Sequence, residues 1–212
     1  MHRYIAIEGP IGVGKTSLAK LLAVELDAQT ILESSEENPF LSEFYADRKR
    51  MAFQTQIFFL LSRYNQQQEL FQQDLFNKTT IIDYIYARDR IFAYLNLDNN
   101  ELALYEQIYS LLHERIPKPD LVIYLSASTD TLLERIESRG RDFEKNITKD
   151  YIEELNQAFN RFFFHYSDTP LLVINTSEID FVKNPADLKD LVKQIRLMKK
   201  GTQYYVPMSS KK

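Results

Sequence analysis

The sequence predicts an α/β fold: a parallel sheet of five strands with helices on both faces. Three observations carry that expectation. Short apolar runs alternate with longer stretches of helical period along the chain, the order that builds a parallel sheet. Glu8, Glu33 and Asp83 each close one of the apolar runs, so they fall together at the carboxyl edge, where open sheets bind ligands. The first run leads into a glycine-rich turn that opens a helix, Gly9-Pro10-Ile11-Gly12-Val13-Gly14-Lys15-Thr16, which matches the phosphate-binding pattern G-x-x-x-x-G-K-[ST].

Taken in order, residues 4–8 read as the first strand and 17–26 as the first helix. Residues 30–33 form a short second strand ending on Glu33, and 34–39 a polar turn. From 51 to about 76 the pattern is helical, with Phe53, Ile57, Leu60, Leu61 and Tyr64 spaced three and four apart. Gln56 and Arg63 lie seven apart on that helix, hence on one face and ~10 Å from each other. Residues 79–83 are the third strand, and a polar and aromatic stretch from 84 to 90 leads into Ile91-Phe92-Ala93. Residues 101–116 make an amphipathic helix with Leu104, Ile108, Leu111 and Leu112 on one stripe, stopped by Pro117-Lys118-Pro119-Asp120. The fourth strand is 121–125. Helix 129–139 ends where Gly140 can cap it. A helix over 151–166, a fifth strand over 171–174 and a last helix over 186–199 follow. Residues 200–212 show no pattern, so the chain reads as one domain over 1–199 with a tail.

With 212 residues, 44% of them hydrophobic and 26% charged, the chain can bury a real core. A net charge of −4 offers no basic field to nucleic acid or to a membrane surface. No apolar run approaches the ~20 residues of a membrane span. The first strand starts at Tyr4 and leaves no room for a leader peptide. A cytoplasmic protein without nucleic-acid or membrane partners is expected. The absence of cysteine excludes disulfides and thiol catalysis. His2, His113 and His165 are scattered and suggest no metal site. Phe58, Phe59, Leu102 and Tyr105 lie partly off the core stripes of their helices, which predicts a symmetric dimer packing those helices together.

Phosphoryl transfer needs a cradle, a metal, an activated nucleophile and cations. The glycine loop, from Gly9 to Ser17, turns backbone N–H groups toward phosphates at a helix N-terminus. Lys15 can reach the β- and γ-phosphates, and Thr16 can ligate Mg²⁺ together with Asp83 acting through water. Glu33 or Asp83 can serve as base to an alcohol. Cations come from Lys15 and from Arg135, Arg139 and Arg141, three arginines within seven residues that look like a lid over phosphates. The same arginines also fit a solvated face paired with Glu134, Glu137 and Glu144. Gln56 offers donor and acceptor together and Arg63 a planar fork, a combination suited to a nucleobase. Tyr45, Phe53 and Phe92 are candidates to wall it.

Four segments, residues 7–16, Glu33 with Asn38-Pro39-Phe40, residues 117–125 and residues 135–141, together resemble the deoxynucleoside kinase family over about 3–196. Within it the likeness is greatest to bacterial kinases of deoxyguanosine and deoxyadenosine. The resemblance implies the P-loop nucleoside-kinase fold with an arginine-rich lid, ATP and Mg²⁺ as cofactors, a deoxynucleoside 5′-hydroxyl as acceptor and a homodimer. It implies that Glu33 is the general base, that Tyr45 and Glu144 hold the sugar 3′-hydroxyl, and that Gln56 and Arg63 read the base. Asp83 then matches the acid of an (Asp/Glu)-Arg-Ser motif, Arg135, Arg139 and Arg141 the lid, and Asp180-Phe181 the loop beside the donor adenine. Tyr84 replaces the arginine of that motif. Arg88 is the cation that can substitute, and either Arg88 or Asp89 falls at the family's base-reading aspartate. Arg63 suits the N7 and O6 acceptors of guanine, so deoxyguanosine is expected first and deoxyadenosine next. A thymidylate-kinase-like enzyme and a non-catalytic P-loop subunit remain as alternatives. Tyr84, where the former carries arginine, disfavours the first, and intact Lys15, Thr16, Glu33 and Asp83 disfavour the second.

Overall fold

The computed structural model describes residues 2–72, 79–113, 116–177, 179 and 181–205. Among these, the strands are β1 (Tyr4–Glu8), β2 (Gln29–Ile31), β3 (Thr80–Ile82), β4 (Leu121–Ser126), β5 (Leu171–Asn175) and β6 (Thr202–Tyr205). They form one sheet in the order β2-β3-β1-β4-β5-β6, with every pairing parallel. The helices are α1 (Lys15–Leu26), α2 (Leu41–Ala46), α3 (Arg48–Gln72), α4 (Arg88–Asn96), α5 (Asn99–His113), α6 (Thr129–Arg139), α7 (Lys149–Phe164) and α8 (Pro185–Leu197).

The five expected strands are present, and β6 adds a sixth from the stretch that showed no pattern. Thr202, Gln203 and Tyr204 are exposed, so no apolar run marks this strand; its place comes from backbone pairing of Thr202 with Leu171 and Tyr205 with Ile174. The helices α2 and α4 are also additional. The six residues of α2 are too few to show a period. On α4 the buried face includes Arg88 and Asp89 beside Ile91 and Ala93, and the two charges interrupt the apolar pattern.

Alternate strand residues feed two cores, as the pleat requires. Ile5, Ile7, Leu121, Ile123, Leu125, Leu172 and Ile174 pack on α1, α6 and α8. Tyr4, Ala6, Val122, Tyr124 and Leu171 pack on α4 and α7. Local caps fix where helices begin: Ser128 accepts from the Thr131 N–H, Thr148 from Tyr151, and Asn184 from Ala186 with Pro185 in the first turn. Gly140, at φ 64°, closes α6 as expected.

Of the four residues expected at a dimer surface, three are used within the protomer, Leu102 packing partly buried against the cluster that holds Tyr105. Tyr105 is wholly buried between α3 and α5, and Phe59 lines the cleft described below. Among the described residues, the large apolar side chains exposed on these two helices are Leu61, Leu104 and Leu111. Among the described residues no helix is long and apolar enough to cross a membrane.

Candidate active site

The carboxyl edge gathers the site. After β1 the chain turns through Gly9 at φ 153° and Gly12 at φ 85°, conformations that side chains resist. A Cβ on Gly9 would lie 2.4 Å from the Leu125 carbonyl oxygen, and one on Gly12 2.7 Å from that of Leu132. Space and backbone therefore both demand glycine. The turn delivers the N-terminus of α1, where the N–H groups of the first turn have no intrahelical partner and stand ready for an anion. Lys15 Nζ donates to the carbonyls of Gly9 at 2.7 Å and Pro10 at 3.1 Å. Burial, reinforced by the Arg88 charge, lowers this ammonium to about 8 against the pull of Glu8, Glu33 and Asp83.

Asp83, just past β3, joins the loop to the end of β2. Its Oδ2 accepts from the Thr16 hydroxyl at 2.5 Å and its Oδ1 from the Glu33 N–H at 2.7 Å. Burial pushes this carboxyl up, opposed by those two hydrogen bonds. A hydroxyl and a carboxylate side by side are hard oxygen donors, and Mg²⁺ completes its shell with water and phosphate oxygens. The pair fits such an ion. Among the described residues no group of three or more His, Cys, Asp or Glu could hold a metal by itself.

Glu33 faces two guanidinium groups. Its Oε1 accepts from Arg63 Nε at 2.8 Å and from Arg63 Nη2, and its Oε2 from Arg88 Nη1 at 2.7 Å. Burial works to raise its carboxyl, but Arg63 and Arg88 outweigh burial and hold it at about 2. Arg88, in the first turn of α4, also lies 3.7 Å from Glu8, a buried carboxylate that accepts from the Gly9 and Ile85 N–H groups. Arg88 thus sets a cation between Glu8 and Glu33. Tyr84 is itself buried, donates to Gln66 at 2.7 Å and sets its ring 5.8 Å from the Arg63 guanidinium.

The geometry also distinguishes Arg88 from Asp89. Asp89 Oδ1 accepts from Arg63 Nη1, and its backbone carbonyl accepts from Gln56 Nε2 at 3.0 Å. Asp89 therefore stands behind Arg63 and Gln56, while Arg88 stands by Glu33. In front of Asp89 a cleft of about 350 Å³ runs from Lys15 and Thr16 past Glu33 and Arg88 to Gln56 and Arg63, with Tyr45 and Glu144 on its wall. Phe44, Phe59, Phe92, Phe143 and Tyr151 supply its aromatic surface. Phe53, expected there, packs instead beside Leu60 and Tyr105, because its position on α3 turns it toward α5.

The three arginines expected to form a lid have different partners. Arg139 donates to both oxygens of Glu144, and Arg141 lies 3.5 Å from Glu36. Arg135 donates to the Val13 carbonyl at 3.2 Å and to Thr176 Oγ1 and O at 3.1 and 2.7 Å, so it braces the glycine loop. All three border a second hollow of about 570 Å³ beside Ser17 and Phe181. Phe181 is buried, and Asp180 lies outside the described residues. Sequence patterns place Glu8 at the carboxyl edge without naming its task, set Tyr105 at a dimer surface rather than behind Asp89, and assign no role to Thr176. The buried contacts of Tyr105 with Asp89 and of Thr176 with Arg135 leave no local sequence signal.

Residues 5–199 match the family model for deoxynucleoside kinases. The deoxyguanosine kinase of Bacillus subtilis is 38% identical over 198 residues, spanning 91% of this chain and 96% of that protein. The deoxyadenosine kinase of Lactobacillus acidophilus is 34% identical over 209 residues, 92% of this chain and 95% of its own. Among solved structures, deoxyadenosine kinase from M. mycoides with bound dCTP superposes with a TM-score of 0.78 at 29% identity, covering 92% of this chain and 99% of that one. A shared phosphate loop alone cannot produce likeness along nearly the whole chain, in sequence and in backbone: the chain belongs to the deoxynucleoside kinase family and is an ATP-dependent phosphotransferase.

Proposed function

We propose that this enzyme transfers the ATP γ-phosphate to the 5′-hydroxyl of purine deoxynucleosides in nucleotide salvage, deoxyguanosine ahead of deoxyadenosine. The observation that carries this is the pairing of Arg63 and Gln56 around Asp89 at the cleft. Three of the five Arg63 N–H groups are engaged by Glu33 and Asp89, which leaves two to meet acceptors. Gln56 turns its amide N–H toward Asp89, so its oxygen remains to accept. The guanine edge presents O6 and N7 acceptors and a ring N–H, which match this set. Adenine replaces O6 by an amine and leaves Arg63 one acceptor short. The names of the relatives, kinases of deoxyguanosine and deoxyadenosine, support the purine class.

In this reading Tyr45 and Glu144 hold the 3′-hydroxyl, and Glu33 faces the 5′-hydroxyl. A carboxyl held at about 2 is ionised but weakly basic. Glu33 therefore aligns the hydroxyl and receives its proton late, as suits a loose phosphoryl-transfer transition state. Lys15, Arg139 and Arg141 meet the charge on the transferring group, and Arg135 and the backbone from Gly9 to Ser17 keep the cradle in shape. Thr16 and Asp83 would hold Mg²⁺, which would supply neutralisation of phosphate charge. Phe181 with Asp180 borders the donor nucleotide, and the enzyme acts as a homodimer. Steady-state ADP release with deoxyguanosine, deoxyadenosine, deoxycytidine, thymidine and dTMP tests the assignment. The highest kcat/KM is expected for deoxyguanosine; thymidine or dTMP as best substrate would overturn it.

A further inference from the structure

Asp89 is the most deeply placed charge of the base-reading cluster, with no exposed surface. Two helices hold its carboxylate. Arg63 on α3 donates to Oδ1, and the Tyr105 hydroxyl on α5 donates to Oδ2 at 3.0 Å. Its backbone carbonyl fixes the amide of Gln56. Asp89 therefore orients both residues assigned to the base. Tyr105 is fully buried and forms no part of the cleft wall.

We propose that Tyr105 is a positioning residue for base selection: its hydroxyl holds Asp89 in the orientation that locks Arg63 and Gln56, without touching the substrate. The proposal rests on the reading of Arg63 and Gln56 as the base-recognising pair. Without the hydroxyl, buried Asp89 Oδ2 loses the donor that α5 supplies. A buried carboxylate in that position either takes a proton or turns. Burial already raises the Asp89 carboxyl, with Arg63, Gln56 and Tyr105 opposing it. Once Asp89 lets go, Arg63 is drawn to Glu33, to which it already gives two N–H groups, and its remaining donors leave the base. The phosphate end is untouched, because Lys15 and Thr16 belong to another element. The loss therefore falls on recognition of the base, whereas a merely structural tyrosine would lower all substrates alike.

The test is Tyr105→Phe in the full chain, which keeps the ring packed on Leu60 and Tyr109. Its melting temperature and its kinetics with deoxyguanosine and deoxycytidine are compared with those of the parent. One charge-assisted hydrogen bond corresponds to about tenfold or more. KM for deoxyguanosine should rise by about that factor, the KM for ATP should stay within about twofold, and the deoxyguanosine-to-deoxycytidine ratio of kcat/KM should move toward one. In an Asp89→Asn background the same substitution should cost little, because the hydroxyl acts through that carboxylate. If Asp89→Asn does not fold, the ratio for Tyr105→Phe alone decides. An unchanged ratio, with or without lower stability, overturns the proposal. A parent enzyme that prefers pyrimidines would defeat the purine assignment instead, and flattening of that preference by Tyr105→Phe would still uphold the role of Tyr105.

Discussion

Arg139 and Glu144 form a bidentate ion pair on the cleft wall, Nη2 to Oε1 at 2.5 Å and Nε to Oε2 at 3.2 Å. The carboxylate assigned to the sugar thus also holds a lid arginine assigned to phosphate. In the proposed reading substrate and lid compete for one carboxylate, so binding of the 3′-hydroxyl should help release Arg139 toward the γ-phosphate. Glu144→Gln is expected to raise KM for the deoxynucleoside about tenfold, and Arg139→Met to lower kcat by ~10²-fold or more. Separate measurement of the two parameters checks this; identical profiles for the two variants would refute the division of labour.

Glu33→Gln should lose ~10²–10⁴-fold in kcat while ATP still binds by calorimetry. Near-normal kcat would sink the assignment. The carboxyl stands lowered, from 4.5 to about 2, so its ion pairs stabilise the fold above the ordinary value and are lost as pH falls toward the lower one. The variant's deficit in melting temperature relative to the parent should accordingly be present at pH 7 and shrink between pH 4.5 and about 2.

Lys15 gives a prediction at the other end of the scale. Its ammonium titrates at about 8 in the free enzyme, so kcat/KM for ATP should fall as pH rises past that point. Bound phosphates raise the value, and kcat should persist to higher pH. Because the folded value is below 10.5, the native state carries fewer protons than the unfolded chain between the two, and the free protein gains stability as pH climbs through that window. Coincident alkaline limbs for kcat and kcat/KM would contradict this. Lys15→Ala should abolish turnover with the circular dichroism spectrum intact.

The exposed leucines of α3 and α5 address assembly. A dimer mass is expected by light scattering at micromolar concentration, and Leu104→Lys with Leu111→Lys should reduce it to a monomer. A monomer from the unaltered chain would remove α3 and α5 as an interface.

The sequence by itself determined what local pattern can carry. The glycine loop, the five apolar strands, the carboxylates at their ends and the Gly140 cap are each specified by residues adjacent to them, where period and turn chemistry act. Gln56 and Arg63 could be placed on one face because a helix repeats. Only the tertiary structure decided which charge meets which. Arg63 finds Glu33 and Asp89, 30 and 26 residues away, Arg88 finds Glu33 across 55, and Arg135 finds Val13 across 122. No period links such positions, and a buried ion pair breaks the very apolar pattern by which its helix would be seen, as Arg88 and Asp89 do on α4. β6 was hidden for the opposite reason: its side chains are exposed, and its place is fixed by backbone hydrogen bonds to the β5 edge, which any side chain allows.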